Sequence, residues 1–429
     1  MKKYLLSMLI LIMFLTPAVF NLLFAQPVRP VSNDSLLSVC KLKYNEGSYR
    51  ESLALYSAVP YEKLSSEESF YLGLSCNNLR DLYKASQYFR KAVELAPGHN
   101  GYKIQLARTL SQMGRINEAV QNYNAVIERD SNNVTALSDL GMIYFEMREY
   151  QKAVILYKKL VLMNDDDFLS SYYLGSSMLL SADPGNAETA LKHLEHSIAV
   201  NQEYLPAITL LAASKFNLQK YYEANALYGM AIKLQPKNAE FIFKSGKCLE
   251  RLKFFAESSL LYNKAAALDS NQADYYDHLG FVYFNMGKYD SAAAAYRKAV
   301  SIDDNPVYFT NLGFTYAKMD SVERSVESFE KAVSHMQADK ISTVYNQIGA
   351  LHYSRKNYKD AASAYEKALI YYPENIDAQF YLGMINEKMM DWKKAREAYR
   401  KVIRLAEGDS TQQERIDYSK KKIAELKKK

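Results

Sequence analysis

Residues 279–299 read LGFVYFNMGKYDSAAAAYRKA. Gly280 is a small residue, and a ring, Tyr296, follows sixteen positions later. Ala292 stands four before that ring, Ala299 three after it, and Gly287 separates the two halves. The same spacing runs the length of the chain. The small residues are Cys40, Gly73, Ala107, Gly141, Gly175, Ala212, Gly246, Gly280, Gly313, Gly349 and Gly383, at gaps of 33 to 37. The matching rings are Tyr56, Phe89, Tyr123, Tyr157, Tyr228, Tyr262, Tyr296, Phe329, Tyr365 and Tyr399. At Gly175 the slot comes three residues late and holds Leu194. This column accounts for a chain of 429 residues with 36 Tyr and 1 Trp. A fixed period of this size marks units that stack, each unable to bury its apolar face alone.

Both halves of the unit are helical. Leu137, Leu140 and Tyr144 fall at i, i+3 and i+7, and Ala153, Tyr157 and Leu160 at i, i+4 and i+7, each on a single helix face. Gly47, Gly114 and Gly287 suit a tight turn between the halves. Pro97, Pro236 and Pro373 end the second helix, because proline cannot donate the next backbone bond. The pattern resembles the tetratricopeptide repeat, which runs L-G-x2-Y, then A-x3-F, then P, with a period of 34. Residues 140–144, 279–283 and 312–316 carry its first block. The resemblance implies an all-α fold: a right-handed α-solenoid superhelix of stacked antiparallel helix pairs. Eleven repeats cover 33–409. A lysine-rich helix at 410–429 caps the array with Ile416, Ile423 and Leu426. Insertions at Asp183–Asn186 and His335–Lys340 lengthen two connections.

The N-terminus reads differently. Lys2 and Lys3 precede an apolar run from Leu5 to Phe24, and Ala25 then meets the polar, proline-bearing linker 26–32. That is the layout of a secretory signal peptide over 1–25, either cleaved or kept as an anchor. The expected location is the bacterial periplasm or cell envelope. The formal charge of +6 belongs to the ends. Lys2, Lys3 and six lysines of the last ten residues account for eight of the 54 basic side chains. Glu425 is one of the 48 acidic ones. The rest is balanced at 46 against 47, so a nucleic-acid partner has no support. Membrane contact is expected only through an uncleaved N-terminus or the basic tail.

Catalytic and metal signatures are missing from the sequence. No phosphate-binding or nucleophile-elbow glycine motif occurs, and no cofactor is expected. Cys40, Cys76 and Cys248 fall on helix faces that read as core, with a Cys40–Cys76 crosslink as the alternative. His193 and His196 lack further ligands at metal spacing, and Asp165–Asp167 reads as an acidic turn between repeats. No enzyme is expected.

What remains is a face. The resemblance implies that first helices line a concave groove where partners bind. Phe145, Tyr172, Phe216, Phe243, Phe281, Phe284, Phe314 and Tyr353 fall there, interleaved with Asn217, Asn285 and Asn346, outside the small-and-ring pattern. Exposed rings in a groove signal binding. Some family members clamp a C-terminal carboxylate with lysines and asparagine, but Lys41, Lys244 and Lys247 read as scattered, without the asparagine. The expected function is an exported scaffold or adaptor binding a protein or peptide segment, in envelope assembly or secretion. The alternative is a glycan-binding scaffold in polysaccharide export.

Overall fold

The protein's structure is a computed structural model that describes residues 33–181, 187–334 and 336–427. Residues 1–25, read above as a signal peptide, the linker 26–32 and the insertion at 183–186 lie outside the described residues. The chain divides into two compact units, one ending at Gln202 and the other beginning at Glu203.

In the first unit the helices are α1 Asn33–Asn45, α2 Tyr49–Ala54, α3 Ser66–Asn78, α4 Leu82–Leu95 and α5 Asn100–Gln112. They continue as α6 Ile116–Arg129, α7 Val134–Glu146, α8 Tyr150–Met163, α9 Phe168–Leu180 and α10 Ala187–Val200. The second unit holds α11 Leu205–Asn217, α12 Tyr221–Leu234, α13 Ala239–Arg251, α14 Phe255–Leu268, α15 Ala273–Asn285, α16 Tyr289–Ile302 and α17 Pro306–Lys318. It ends with α18 Val322–Val333, α19 Ala338–Ser354, α20 Tyr358–Tyr371, α21 Ile376–Lys388, α22 Trp392–Leu405 and α23 Gln413–Leu426. Odd-numbered helices up to α21 are first helices and their even-numbered partners are second helices. Within the units first helices approach one another at α1–α3, α5–α7, α7–α9, α13–α15, α15–α17 and α19–α21, more closely than neighbouring second helices do, which puts the first helices on the inner side of these stretches.

Local chemistry sets the boundaries. Asn133, Asp167, Asn238 and Asn375 precede first helices, and each accepts a hydrogen bond from a backbone N–H of the first turn. The turn inside a repeat closes with a left-handed residue. At Gly287, φ is 73°. Its N–H donates to the Phe284 carbonyl at 3.0 Å, and the Lys288 N–H donates to the Tyr283 carbonyl at 2.9 Å. Arg80, Arg148, Gln219, Lys253, Asp320, Lys356 and Met390 adopt the same conformation without being glycine.

The small column and the ring column meet as the spacing requires. A Cβ placed on Gly280 would lie 2.7 Å from the Tyr296 ring, and one on Gly383 would lie 2.5 Å from Tyr399. Gly175 is closed instead by Leu194 and the Ala190 carbonyl, so the late slot is filled. Seven of the rings are among the most deeply buried large side chains, where each contributes a few kcal/mol of apolar burial.

Two expectations need correction. The first repeat's second helix stops at Ala54, after six residues, and turns lead to a 3₁₀ segment at Tyr61–Lys63. Pro60 has no N–H to give the Tyr56 carbonyl, so a longer helix would break there. The segment 335–340 is also not wholly a connection, because α19 begins at Ala338. At the other end α23 behaves as a cap. Leu426 and Ile423 pack on Ala395, Tyr399, Phe380 and Trp392, and Arg396 Nη1 donates to the Leu426 carbonyl at 2.6 Å. Cys40, Cys76 and Cys248 are buried and free, and burial pushes the Cys76 and Cys248 thiols up to about 11 and about 12.

Candidate functional site

The rings singled out on the first helices divide into two groups. Phe145, Phe216, Phe284 and Tyr353 each stand four residues after a small residue, at the end of a first helix. A second ring opens the next helix five positions on, and the two meet across the turn. The centroid distances are 5.7 Å for Phe145–Tyr150, 5.2 Å for Phe216–Tyr221, 5.4 Å for Phe284–Tyr289 and 5.9 Å for Tyr353–Tyr358. The first repeat repeats the device with Tyr44 and Tyr49 at 5.6 Å. All four rings are half-buried; Phe145 also meets Tyr173 and Tyr353 also meets Tyr381 of the following repeat, at 5.3 Å and 6.1 Å. Tyr172 is half-buried against Tyr173 in the first unit, and Phe243 lies among Tyr262, Tyr275 and His278 in the second.

Phe281 and Phe314 are the second group. They follow Gly280 and Gly313 directly, in the same register on α15 and α17, and are 42% and 37% exposed. Phe281 touches Phe255 and Phe314 touches Phe329, while the rest of each ring faces outward. Asn285 and Asn217 are exposed, and Asn285 donates to the Phe281 carbonyl at 2.8 Å. Asn346 is half-buried.

The second unit brings together two of the three lysines that looked scattered, while Lys41 lies on α1 in the first unit. Lys244 and Lys247 share a hollow of about 220 Å³ with Phe216, Asn217 and Tyr228. Lys247 Nζ lies 5.8 Å from the Phe216 ring centre and 5.7 Å from that of Phe243, a cation–π arrangement. Lys244 pairs with Glu240 at 2.7 Å. Asn217, one repeat earlier in the chain, lines the same hollow. Sequence order hides it, because the stack, not the helix period, brings α11 beside α13.

Beneath the exposed rings runs a buried polar network. Tyr262 donates its hydroxyl to Glu250 Oε2 at 2.7 Å, and His278 Nδ1 reaches the same oxygen at 2.7 Å. Burial, then the Glu250 charge, pushes the Tyr262 phenol far above its usual range, so it remains a neutral donor. Asp277 accepts from Asn311 Nδ2 at 2.9 Å, and burial raises its carboxyl. In the first unit Tyr123 donates to Asp139, which also holds Arg108 at 2.7 Å. Tyr262 and Glu250 are buried, His278 and Asp139 are partly exposed and Arg108 is exposed, and the bonds to His278, Asn311 and Asp139 tie one repeat to the next.

His196 Nε2 lies 2.7 Å from the Asp165 carbonyl. Among the described residues no group of three or more His, Cys, Asp or Glu could hold a metal ion. Among the same residues no helix is long and apolar enough to cross a membrane.

Comparison with known proteins agrees with the repeat. Models described as tetratricopeptide repeats match residues 71–99, 134–167, 273–306, 307–334 and 347–410, and one described as a TPR repeat matches 107–148. Hsp70-Hsp90 organizing protein 1 of Glycine max is 26% identical over 243 residues, covering 53% of this chain and 40% of that protein. BBSome complex member BBS4 of Bos taurus is 22% identical over 282 residues, covering 65% of this chain and 54% of the relative. The chain therefore spans about half the length of these curated relatives. Among solved structures, yeast Tom70 is 14% identical with a TM-score of 0.36, covering 92% of this chain and 96% of that one.

Proposed function

Starting from a chain that belongs to the tetratricopeptide repeat family, we propose that it is a non-catalytic scaffold which binds a segment of a protein partner on the first-helix face of its second unit. The observation that carries this reading is the pair Phe281 and Phe314, exposed in the same register on α15 and α17. Each is a large ring that the stack leaves partly uncovered, and rings of this kind anchor partner segments. The hollow around Phe216, Asn217, Lys244 and Lys247 adds amide and ammonium donors on the same helix layer. Two relatives bear names that speak of assembly with other proteins, an Hsp70-Hsp90 organizer and a BBSome member.

The glycan alternative has less support. Four of the rings that suggested sugar stacking are engaged edge-to-face with rings of their own repeats. Export to the bacterial envelope, with a role in its assembly or in secretion, is part of the proposal. It rests on the basic, apolar and Ala25-terminated pattern of residues 1–25.

The test is a capture experiment with the exported chain carrying Phe281→Ala and Phe314→Ala together. Partners crosslinked to the wild type in intact cells are expected to fall at least about tenfold in yield, the loss of two anchor rings. Equal yield of the same partners would sink the assignment. N-terminal sequencing of protein from fractionated cells tests export, and recovery of full-length chain in the cytosol would refute it.

A further inference from the structure

The tenth and eleventh repeats and the last helix enclose a polar hollow of about 950 Å³. Its floor is held by a chain of hydrogen bonds. Asn346 Nδ2 donates to Asn375 Oδ1 at 3.3 Å, and Asn375 Nδ2 donates to Ser342 Oγ at 2.8 Å. Ser342 in turn donates to the Ala368 carbonyl at 2.9 Å. This fixes which way the Asn346 amide points. Its Oδ1 then has no hydrogen-bond partner among the described residues, although the atom is buried. The hydroxyl of Tyr365, a lining residue only 1% exposed, is in the same position. Buried polar atoms left unpaired cost stability, so two of them at one hollow call for an explanation.

The walls say what is missing. Arg415 spends its guanidinium inside the protein. It pairs with Asp377 Oδ1 at 2.5 Å, donates to Gln412 Oε1 at 2.9 Å and lies over the Phe380 ring at 5.6 Å. Glu374 stands exposed at the rim, and Tyr381 stacks on Tyr365 with centroids 5.3 Å apart. Asn346 and Asn375 spend amide hydrogens within the floor and Arg415 spends its guanidinium on Asp377 and Gln412, which leaves Asn346 Oδ1, the Glu374 carboxylate and the Tyr365 and Tyr381 rings to set the chemistry of the hollow. A fitting ligand brings N–H donors and positive charge.

We propose that this hollow receives an arginine or lysine side chain from the partner segment. Asn346 Oδ1 and the Glu374 carboxylate take its N–H groups, and the Tyr365 hydroxyl meets the segment's main chain. The inference rests on the scaffold reading above and names the partner's chemistry at one place. It also gives α23 a second role, since its Arg415 holds Asp377 and walls the site as well as covering the array's end.

Blocked pentapeptides with a central Arg, Lys or Gln between alanines, titrated against the full chain, test this. The Arg and Lys peptides are expected to bind about tenfold more tightly than the Gln peptide, with the preference shrinking at high salt. Tyr365→Phe is a safe variant, because phenylalanine fills the same slot at Phe89 and Phe329. It is expected to weaken the Arg peptide about fivefold, the loss of one hydrogen bond, with no fall in thermal midpoint. Glu374→Gln is expected to remove most of the Arg-over-Gln preference. Equal binding of Arg and Gln peptides, or unchanged Arg-peptide affinity in Tyr365→Phe, overturns the proposal. If that happens while Phe281→Ala/Phe314→Ala still loses its partners, the scaffold reading stands and the hollow's assignment alone fails. If the Arg preference holds while the alanine pair captures normally, the failure lies in the ring anchors.

Discussion

Tyr262 and Tyr365 occupy one slot in two repeats of the same unit. Each stands sixteen residues after a glycine, and each ring is buried against that glycine's helix. Their hydroxyls differ. Tyr262 donates to Glu250, which His278 also holds, and the network is closed. Tyr365 reaches no partner among the described residues and lines a hollow. The ring therefore belongs to the fold, and the oxygen at its tip belongs to the particular repeat. The left-handed turn position teaches the same lesson, with Gly287 in one repeat and Met390 in another holding φ of 73° and 61°.

The largest effect expected is the one that treats both rings alike. Tyr262→Ala and Tyr365→Ala should each destabilise their repeat by about 4 kcal/mol, since both empty a core slot. Hydrogen exchange across each repeat reads this, and a twofold difference between them would break the equivalence. Next comes removal of the oxygen alone. Tyr262→Phe is expected to cost about 1–2 kcal/mol, because Glu250 loses a buried donor. Tyr365→Phe is expected to leave stability unchanged or raise it, and denaturant midpoints of the two variants decide. A smaller pair concerns the turn: Met390→Gly should stabilise by about 1 kcal/mol and Gly287→Ala should destabilise by a similar amount. Equal midpoints for all three chains would mean that the turn carries no strain.

The smallest effect is electrostatic. Burial raises the Asp277 carboxyl, so folding favours its protonated form. Its cost is present at neutral pH and disappears as pH falls through the raised value. Asp277→Asn keeps an acceptor for Asn311 and should gain about 0.5 kcal/mol at pH 7, a gain that vanishes on acidification. A gain that grows toward low pH would reverse the assignment.

The helix pairs and the ring column were legible because their spacing is set by one helix period and one turn. The cap was legible too, since Ile416, Ile423 and Leu426 mark a single face. Phe145, Phe216, Phe284 and Tyr353 look free in the sequence because their partners lie five residues on, across a turn, at no helical period. The signal was present in the repeated ring-then-ring spacing from Tyr44–Tyr49 onward. The second hollow was not legible. Asn375 caps a helix, Arg415 comes from the terminal helix, and only stacking brings them to Asn346. Pro60 did announce the short α2, but against ten full-length second helices it reads as an ordinary terminator.

Trp392 lies in the cluster where α22 meets α23, and it is the chain's single tryptophan. Indole emission therefore reports on the eleventh repeat and the helix that covers it, and is silent about the ten repeats before them. In a stack held by neighbour-to-neighbour contacts, ends loosen before the middle. The fluorescence signal of unfolding should consequently run ahead of the loss of helical circular dichroism, and the gap between the two curves measures how far fraying has spread inward.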